Sequence, residues 1–490
     1  MVGRLLPGHG VVAGIDVGTT KIELDVYSED GALVLRRVER NRTIARGPVA
    51  EQDPEAILGI VKSMISDAIG AGAGCVGLTV YRGSLVAWSR SGEPVTRVIT
   101  WMDLRPHVLW HRLPWGLRLA RRLPRLGEAF SPESMTARLA ALLVERPELR
   151  RGLEEGSLLA WNLDAYLVHR LTGVYAADSS TAALTGLVDP RTLEPLGLAW
   201  RLAGLPRFEL PRLLAHEGVE PLEIKEGGRL AAVIGDQQAA SVGLDCLAEG
   251  CLKAALGTGF FLDLSTGPRL RLSPGGGLVP LILLDRGSTR VYGVEAYASG
   301  LGHGVEWFVD NMLGGSYGAL DESVEARGRP PLLVPYVWGS RTPRLWRGTA
   351  GVLGIEPGHS KRDIAAGLAH GLAASVALLY REISRRASRP SRVRIAGGLS
   401  RLRRLVGLVA AYLERSVDLA ATPGSASALG AAVLAARNCG VSFEPEVRVE
   451  EVDPIDVEYR LDPDLLEEAA LEIEALISRR KGANTQAGRG

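Results

Sequence analysis

The polar and apolar positions alternate most clearly near the start of the chain. VVAGIDV at 11–17 is an apolar run interrupted by Asp16, and it ends at Gly18-Thr19-Thr20. From Lys21 to Tyr27 the chain alternates, with Ile22, Leu24 and Val26 on one face and Lys21, Glu23 and Asp25 on the other. Period two on both sides of a tight glycine turn predicts a β-hairpin. Helical spacing follows over Pro54–Ile69, and further strands are predicted within Gly72–Val80 and Leu85–Trp88. A second hairpin of the same design spans Leu252–Ser265, LKAALGTGFFLDLS, with Gly257-Thr258-Gly259 at its turn. Two such hairpins about half a chain apart hint at duplicated domains.

Two strand-turn-helix units complete the pattern. Leu230–Ile234 runs into Gly235-Asp236-Gln237-Gln238 and a small-residue helix. Arg392–Ala396 runs into Gly397-Gly398-Leu399-Ser400 and a helix whose Leu402, Leu405, Val406, Val409 and Leu413 share one face. A helix is predicted near Ser360 with Asp363 as capping-box partner. Ala428–Ala436 reads as a helix suited to close packing. The expected division is a first domain over 1–243, a second over 244–445, and an extension over 446–490 whose Gly-, Asn- and Gln-rich end is disordered.

A chain of 490 residues, 46% hydrophobic and 23% charged, is a globular protein with room for two cores. A net charge of +1 gives no reason to expect nucleic acid or an anionic membrane surface. The densest arginine runs, Arg118–Arg125 and Arg401–Arg404, read as solvated helix faces. Cys75, Cys246, Cys251 and Cys439 form no C-x-x-C pair, so neither zinc nor a disulfide framework is expected; both points fit a cytoplasmic protein. No signal-like segment opens the chain, and no apolar run reaches the roughly 18 residues of a membrane span.

A phosphate group needs backbone N–H donors at close range, which glycine turns allow. Gly18, Thr19 and Thr20 offer this at the first hairpin, and Gly257, Thr258 and Gly259 at the second. Asp16, at a strand end, suits Mg²⁺. An acidic residue at the carboxyl end of a strand points into the ligand crevice of an open α/β sheet. Asp236 stands there and could take the proton of an attacking hydroxyl, although an N-cap aspartate is the plainer use of the position. Arg82 and the Trp101-Met102-Asp103-Leu104-Arg105 segment could hold hydroxyl groups, with a structural ion pair as the alternative for Arg82 and Asp103. The chain has no Walker A sequence, no G-x-G-x-x-G, no H-E-x-x-H and no G-x-S-x-G.

In order and together these segments resemble the FGGY carbohydrate kinase family, from about Val11 to Gly440. GIDVGTT at 14–20 is similar to its first phosphate loop, LGTGFFLDLSTG at 256–267 to its second, and IAGGLSRLRRLVGLVAAYLERSV at 395–417 to its adenosine segment. WNLDAYLVHRLTG at 161–173 and Asp178 resemble its first-domain helix and the segment after it. The likeness implies an α/β fold of two duplicated actin/hexokinase-like (ribonuclease H-like) domains around a nucleotide cleft, closing on ATP, Mg²⁺ and a small polyol or sugar. GDQQAASVG at 235–243 and WMDLR at 101–105 look most like glycerol kinases. This implies Asp236 as base, Asp16 near Mg²⁺, and Arg82, Gly83, Asp103 and Gln237 around the acceptor. Gly397 and Gly398 would lie against the nucleotide, with Gly302 and Glu306 near its phosphates. Homodimer and homotetramer are both open.

The departures concern the acceptor. Glycerol kinases pair an arginine with a glutamate, but Gly83 follows Arg82 here, as in xylulokinase-like members, and their substrate tyrosine falls near Glu133. A missing carboxylate removes a charge-assisted hydrogen bond of roughly 1.5–3 kcal/mol. A pentulose therefore stands beside glycerol as an expected acceptor. An actin-like ATPase without an acceptor, and a non-catalytic sugar sensor, are the rival readings.

Overall fold

The computed structural model describes every residue except 1–9, 122–129, 258, 273, 327, 338, 344–347 and 488–490. Thr258 and part of the Arg118–Arg125 run therefore lie outside the described residues. Both predicted hairpins form. In the first, β1 (Val12–Val17) pairs antiparallel with β2 (Lys21–Tyr27), setting Asp16 opposite Glu23. In the second, Cys251–Leu256 pairs with Phe260–Gly267, setting Lys253 opposite Asp263.

Each hairpin seeds a large sheet. The first also holds β3 (Leu33–Arg40), β4 (Cys75–Val80), β5 (Leu222–Glu223) and β6 (Arg229–Gly235), in the order β5-β6-β4-β1-β2-β3. The second holds β7 (Cys251–Leu256), β8 (Phe260–Gly267), β9 (Val279–Asp285), β10 (Arg290–Ala298), β11 (Arg392–Ala396), β12 (Val417–Ala421) and β13 (Arg448–Val452). Its order is β9-β10-β8-β7-β11-β12-β13. The runs β3-β2-β1-β4-β6 and β10-β8-β7-β11-β12 have the same sense, antiparallel through the hairpin and then parallel. The duplication expected from the hairpins is thus a duplication of sheet topology.

Helices cover these sheets where the sequence gives them caps. Asp53 caps the helix Pro54–Gly70 by accepting from the Glu55 and Ala56 N–H groups, and Ile57, Val61, Met64 and Ile65 face the first core. Ser360 and Asp363 form the expected capping box of Lys361–Arg386. That helix is long and apolar enough to cross a membrane by length and composition, yet most of its apolar stretch is buried against the second sheet. Arg403 and Arg404 make surface ion pairs with Glu450 and Glu325, as a solvated face would. The closing helix runs Pro463–Ala487, so helical backbone enters the segment expected to be disordered.

The helix Ala426–Cys439 belongs to the second half by sequence and to the first by packing. It lies across β1, β4 and β6 and against the helix Asp236–Gly243. The approach demands glycine. A Cβ on Gly14 would stand 1.8 Å from the Ala428 carbonyl oxygen, and one on Gly430 would stand 1.8 Å from that of Ala239.

The cysteine expectation is corrected here. Cys75 on β4 pairs with Cys439 at the end of that helix, and Cys246 pairs with Cys251. The first pair is 364 residues apart in sequence and meets only because the helix lies on β4. Spacing alone could not reveal it.

Candidate active site

Three parallel strands end together in the first sheet. Val17 of β1 stands opposite Val80 of β4, and Val80 stands opposite Gly235 of β6. Gly18, Arg82 and Asp236 therefore leave the sheet at one edge, the carboxyl edge where open α/β sheets bind ligands. The second sheet repeats this: Ala255 of β7 pairs with Ala396 of β11, so the Gly257 and Gly397 turns leave its carboxyl edge side by side.

The first turn is fixed in advance. The Gly18 N–H donates to the Lys21 carbonyl at 3.0 Å. Asn41 Nδ2 donates to the Gly18 carbonyl at 2.8 Å, and Gln52 Nε2 to that of Thr19 at 2.7 Å. Trp101 Nε1 donates to Thr19 Oγ1 at 2.9 Å. Thr20 is exposed. Just before the turn, Asp16 Oδ2 accepts from Ser425 Oγ at 3.3 Å, while its Oδ1 is buried without a partner. Burial first, and the charge of Asp236 second, push the Asp16 carboxyl up to about 8. An orphaned, strained carboxylate oxygen is what a divalent cation would satisfy. Among the described residues no cluster of three His, Cys, Asp or Glu could hold a metal. Mg²⁺ needs no such cluster, since it takes one or two carboxylates and completes its shell with phosphate and water.

Asp236 opens the helix after β6. Its Oδ1 accepts from the Gln237 N–H at 2.8 Å and faces Arg82 Nε at 3.5 Å; its Oδ2 accepts from Gln237 Nε2 at 3.2 Å. Ser427 Oγ, from the start of the 426–439 helix, donates to its backbone carbonyl at 3.1 Å. Arg82 Nη2 pairs with Glu295 at 2.5 Å, and the guanidinium lies 6.0 Å from the ring centroid of Phe261, which stacks on Tyr297. Burial works against the Arg82 charge, but Glu295 and Asp236 outweigh it and raise its pKa. Burial raises the Glu295 carboxyl, and Arg82 pulls it back. Lys253, fully buried, pairs with Asp263 at 2.6 Å and donates to Gln237 Oε1 at 2.9 Å. Gln237 is thereby held from the second sheet.

Asp103 is committed to the fold. It accepts from the Ala50 N–H at 2.9 Å and pairs with Arg105 at 2.8 Å. Arg82 pairs elsewhere, so the ion-pair alternative for Asp103 is met by Arg105. Gly83 has φ +72, a conformation glycine adopts at no steric cost, and a Cβ there would stand 3.3 Å from Trp101 and 3.7 Å from Arg138 Nη1. Glu133 lies 2.9 Å from His107 and 3.6 Å from Arg341; burial works to raise its carboxyl, but the His107 hydrogen bond and the Arg341 charge outweigh it and lower it to about 2.

On the nucleotide side the Gly257 N–H donates to the Gly259 carbonyl at 3.1 Å. Gly397 lies against Leu256, the last residue of β7, and Gly398 begins the short helical turn Gly398–Arg401. Gly302 sits in the first turn of the helix Leu301–Met312, and Glu306 is exposed on it.

Lys253, Asp263, Glu295, Arg138, Ser425 and Phe261 were not singled out from sequence. Lone charges inside apolar strands, as in LKAAL and FFLDLS, were the available signal, since such charges are rarely buried without a partner.

The N-terminal domain of the FGGY family of carbohydrate kinases matches residues 11–227, and its C-terminal domain matches 252–439. Glycerol kinase 5 of Xenopus laevis is 27% identical over 462 residues, covering 87% of this chain and 95% of that protein. A glycerol kinase of Nocardia farcinica is 30% identical over 390 residues, covering 76% of this chain and 77% of the relative. The crystal structure of Plasmodium falciparum glycerol kinase with ADP superposes with a TM-score of 0.79 at 19% identity, covering 97% of this chain and 99% of that one.

Proposed function

Since this chain belongs to the FGGY family of carbohydrate kinases, phosphotransferases with an alcohol group as acceptor, we propose that it moves the γ-phosphoryl group of ATP to a hydroxyl of glycerol or a related small polyol, with Asp236 as base. One observation carries the assignment. Asp16, Arg82 and Asp236 meet where three parallel strands end, and Asp236 is oriented by hydrogen bonds from Gln237 and by the Arg82 guanidinium at 3.5 Å.

The acceptor hydroxyl donates to an Asp236 carboxylate oxygen. Its oxygen attacks the γ-phosphorus, its proton passes to Asp236, and the bond from the γ-phosphorus to the bridging oxygen breaks to release ADP. Gln237 keeps the carboxylate aimed, and Lys253 keeps Gln237 in place. The turn after β1 and the turn after β7 would face the phosphates, and the Gly397-Gly398 turn lies beside the second of them. Asp16 would hold Mg²⁺, which neutralises phosphate charge when bound. Phe261 and Trp101 offer apolar faces to the acceptor's C–H groups.

The test is ATP consumption screened over glycerol, ketoses and other polyols, with Asp236→Asn beside wild type. The variant is expected to lose about 10²–10⁴ in turnover while still binding ADP. Turnover equal to wild type would remove Asp236 as base, and ATP consumption indifferent to every acceptor would favour an actin-like ATPase. A pentulose acceptor is the second reading, favoured by Gly83 standing where a glutamate side chain would otherwise meet the acceptor.

A further inference from the structure

We propose that the acceptor carries an anionic group, a carboxylate or a phosphate ester, that seats on Arg138 beside Gly83. This rests on the kinase reading and narrows its acceptor. Arg138, on the helix Met135–Glu145, is 2% exposed. It donates to the carbonyls of Trp101, at 2.9 Å, and of Glu133, and its Nε is buried without a partner. Among the described residues it forms no ion pair with a carboxylate. The carboxylates whose charge acts most on it, Glu133 and Asp103, make their ion pairs elsewhere: Glu133 with His107 and Arg341, Asp103 with Arg105. A buried guanidinium without a counter-ion is costly unless something supplies one.

Gly83 is where that counter-ion is missing. It follows Arg82 in the chain and lies close to the Arg138 guanidinium, whose Nη1 would stand 3.7 Å from a Cβ placed there. Arg82 Nη1 is also buried without a partner. Arg138 and Arg82 thus each keep one buried donor unused. A glutamate at this position would bring the anion from the protein; glycine leaves it to the substrate. Planar guanidinium groups match carboxylate and phosphate oxygens, often in pairs. Arg82 also reaches Asp236 at 3.5 Å, so an acceptor whose anion sits at Gly83 has its other end directed at the base. In the reaction only the hydroxyl end changes: its oxygen bonds to the γ-phosphorus, its proton goes to Asp236, ADP leaves, and the anion is untouched.

The experiment measures kcat/KM of wild-type enzyme for matched acceptors: glycerol against glycerate, xylitol against xylonate, glucitol against gluconate, and glycerol against glycerol 3-phosphate. The expected result is an advantage of at least tenfold for the anionic member of one pair or more. The acid pairs and the phosphate pair tell the two anions apart. Arg138→Met should erase that advantage and Arg138→Lys should keep part of it, with folding checked by Tm and the nucleotide site by ADP calorimetry. An advantage that survives Arg138→Met removes Arg138 from the proposal. Neutral acceptors ahead in every pair overturn it and leave the kinase reading standing. No response to any acceptor overturns both.

Discussion

Asp16 costs the folded chain stability once its proton is lost. Its carboxyl titrates near 8 when folded, against 3.8 for a free aspartate, so between those values the folded chain holds a proton that the unfolded chain has lost. The cost grows as pH rises from about 4 to about 8 and is complete above that. Asp16→Asn is therefore expected to raise Tm, more at pH 8.5 than at pH 5, while abolishing acceptor-dependent ATP consumption; calorimetry and a coupled assay check the pair. Arg82→Met should lower stability instead. It strands the buried Glu295, at a cost of about 3 kcal/mol readable in urea unfolding. Asp16, Arg82 and Asp236 were legible in the sequence because each stands at a strand end next to a turn. Glu295, Asp263 and Arg138 were not, because their roles depend on which strand or loop lies opposite, and that is settled by register and packing.

At the scale of elements, the hairpins, the capping box and the strand-turn-helix units were read correctly because their signals are local. The crossing of the 426–439 helix was not, because a small-residue helix shows that it packs closely but not against what. Other contacts between helices are polar and pH-dependent. The Leu461 N–H donates to Tyr412 Oη at 2.6 Å, and the Tyr412 hydroxyl and His370 Nδ1 share a hydrogen bond at 2.8 Å. Burial lowers the His370 pKa to about 4. A depressed histidine gives stability that is full above the unfolded value near 6.5 and lost as pH falls toward 4. His370→Gln should flatten that decline: its Tm is expected to drop less than that of wild type between pH 6.5 and 4.5. An identical slope in both proteins would exclude His370 as the source.

For the whole molecule, the Cys75–Cys439 bond ties the first sheet to a helix from the second half of the chain. Denatured, unreduced protein is expected to show no free thiol among its described cysteines. Cys439→Ser should cost about 2–5 kcal/mol, read as a lower Tm. Such bonds persist in oxidising compartments or in the cytosol of hyperthermophiles. The crossing helix has a further consequence. It fills a glycine-lined groove on the first sheet and carries Ser425 and Ser427 to Asp16 and Asp236. The first half thus lacks a piece that the second half supplies. Cutting the chain between Gly243 and Leu244 and expressing the two parts separately should give no activity from either, and mixing them should restore it, as in a split reporter whose halves report their own reunion.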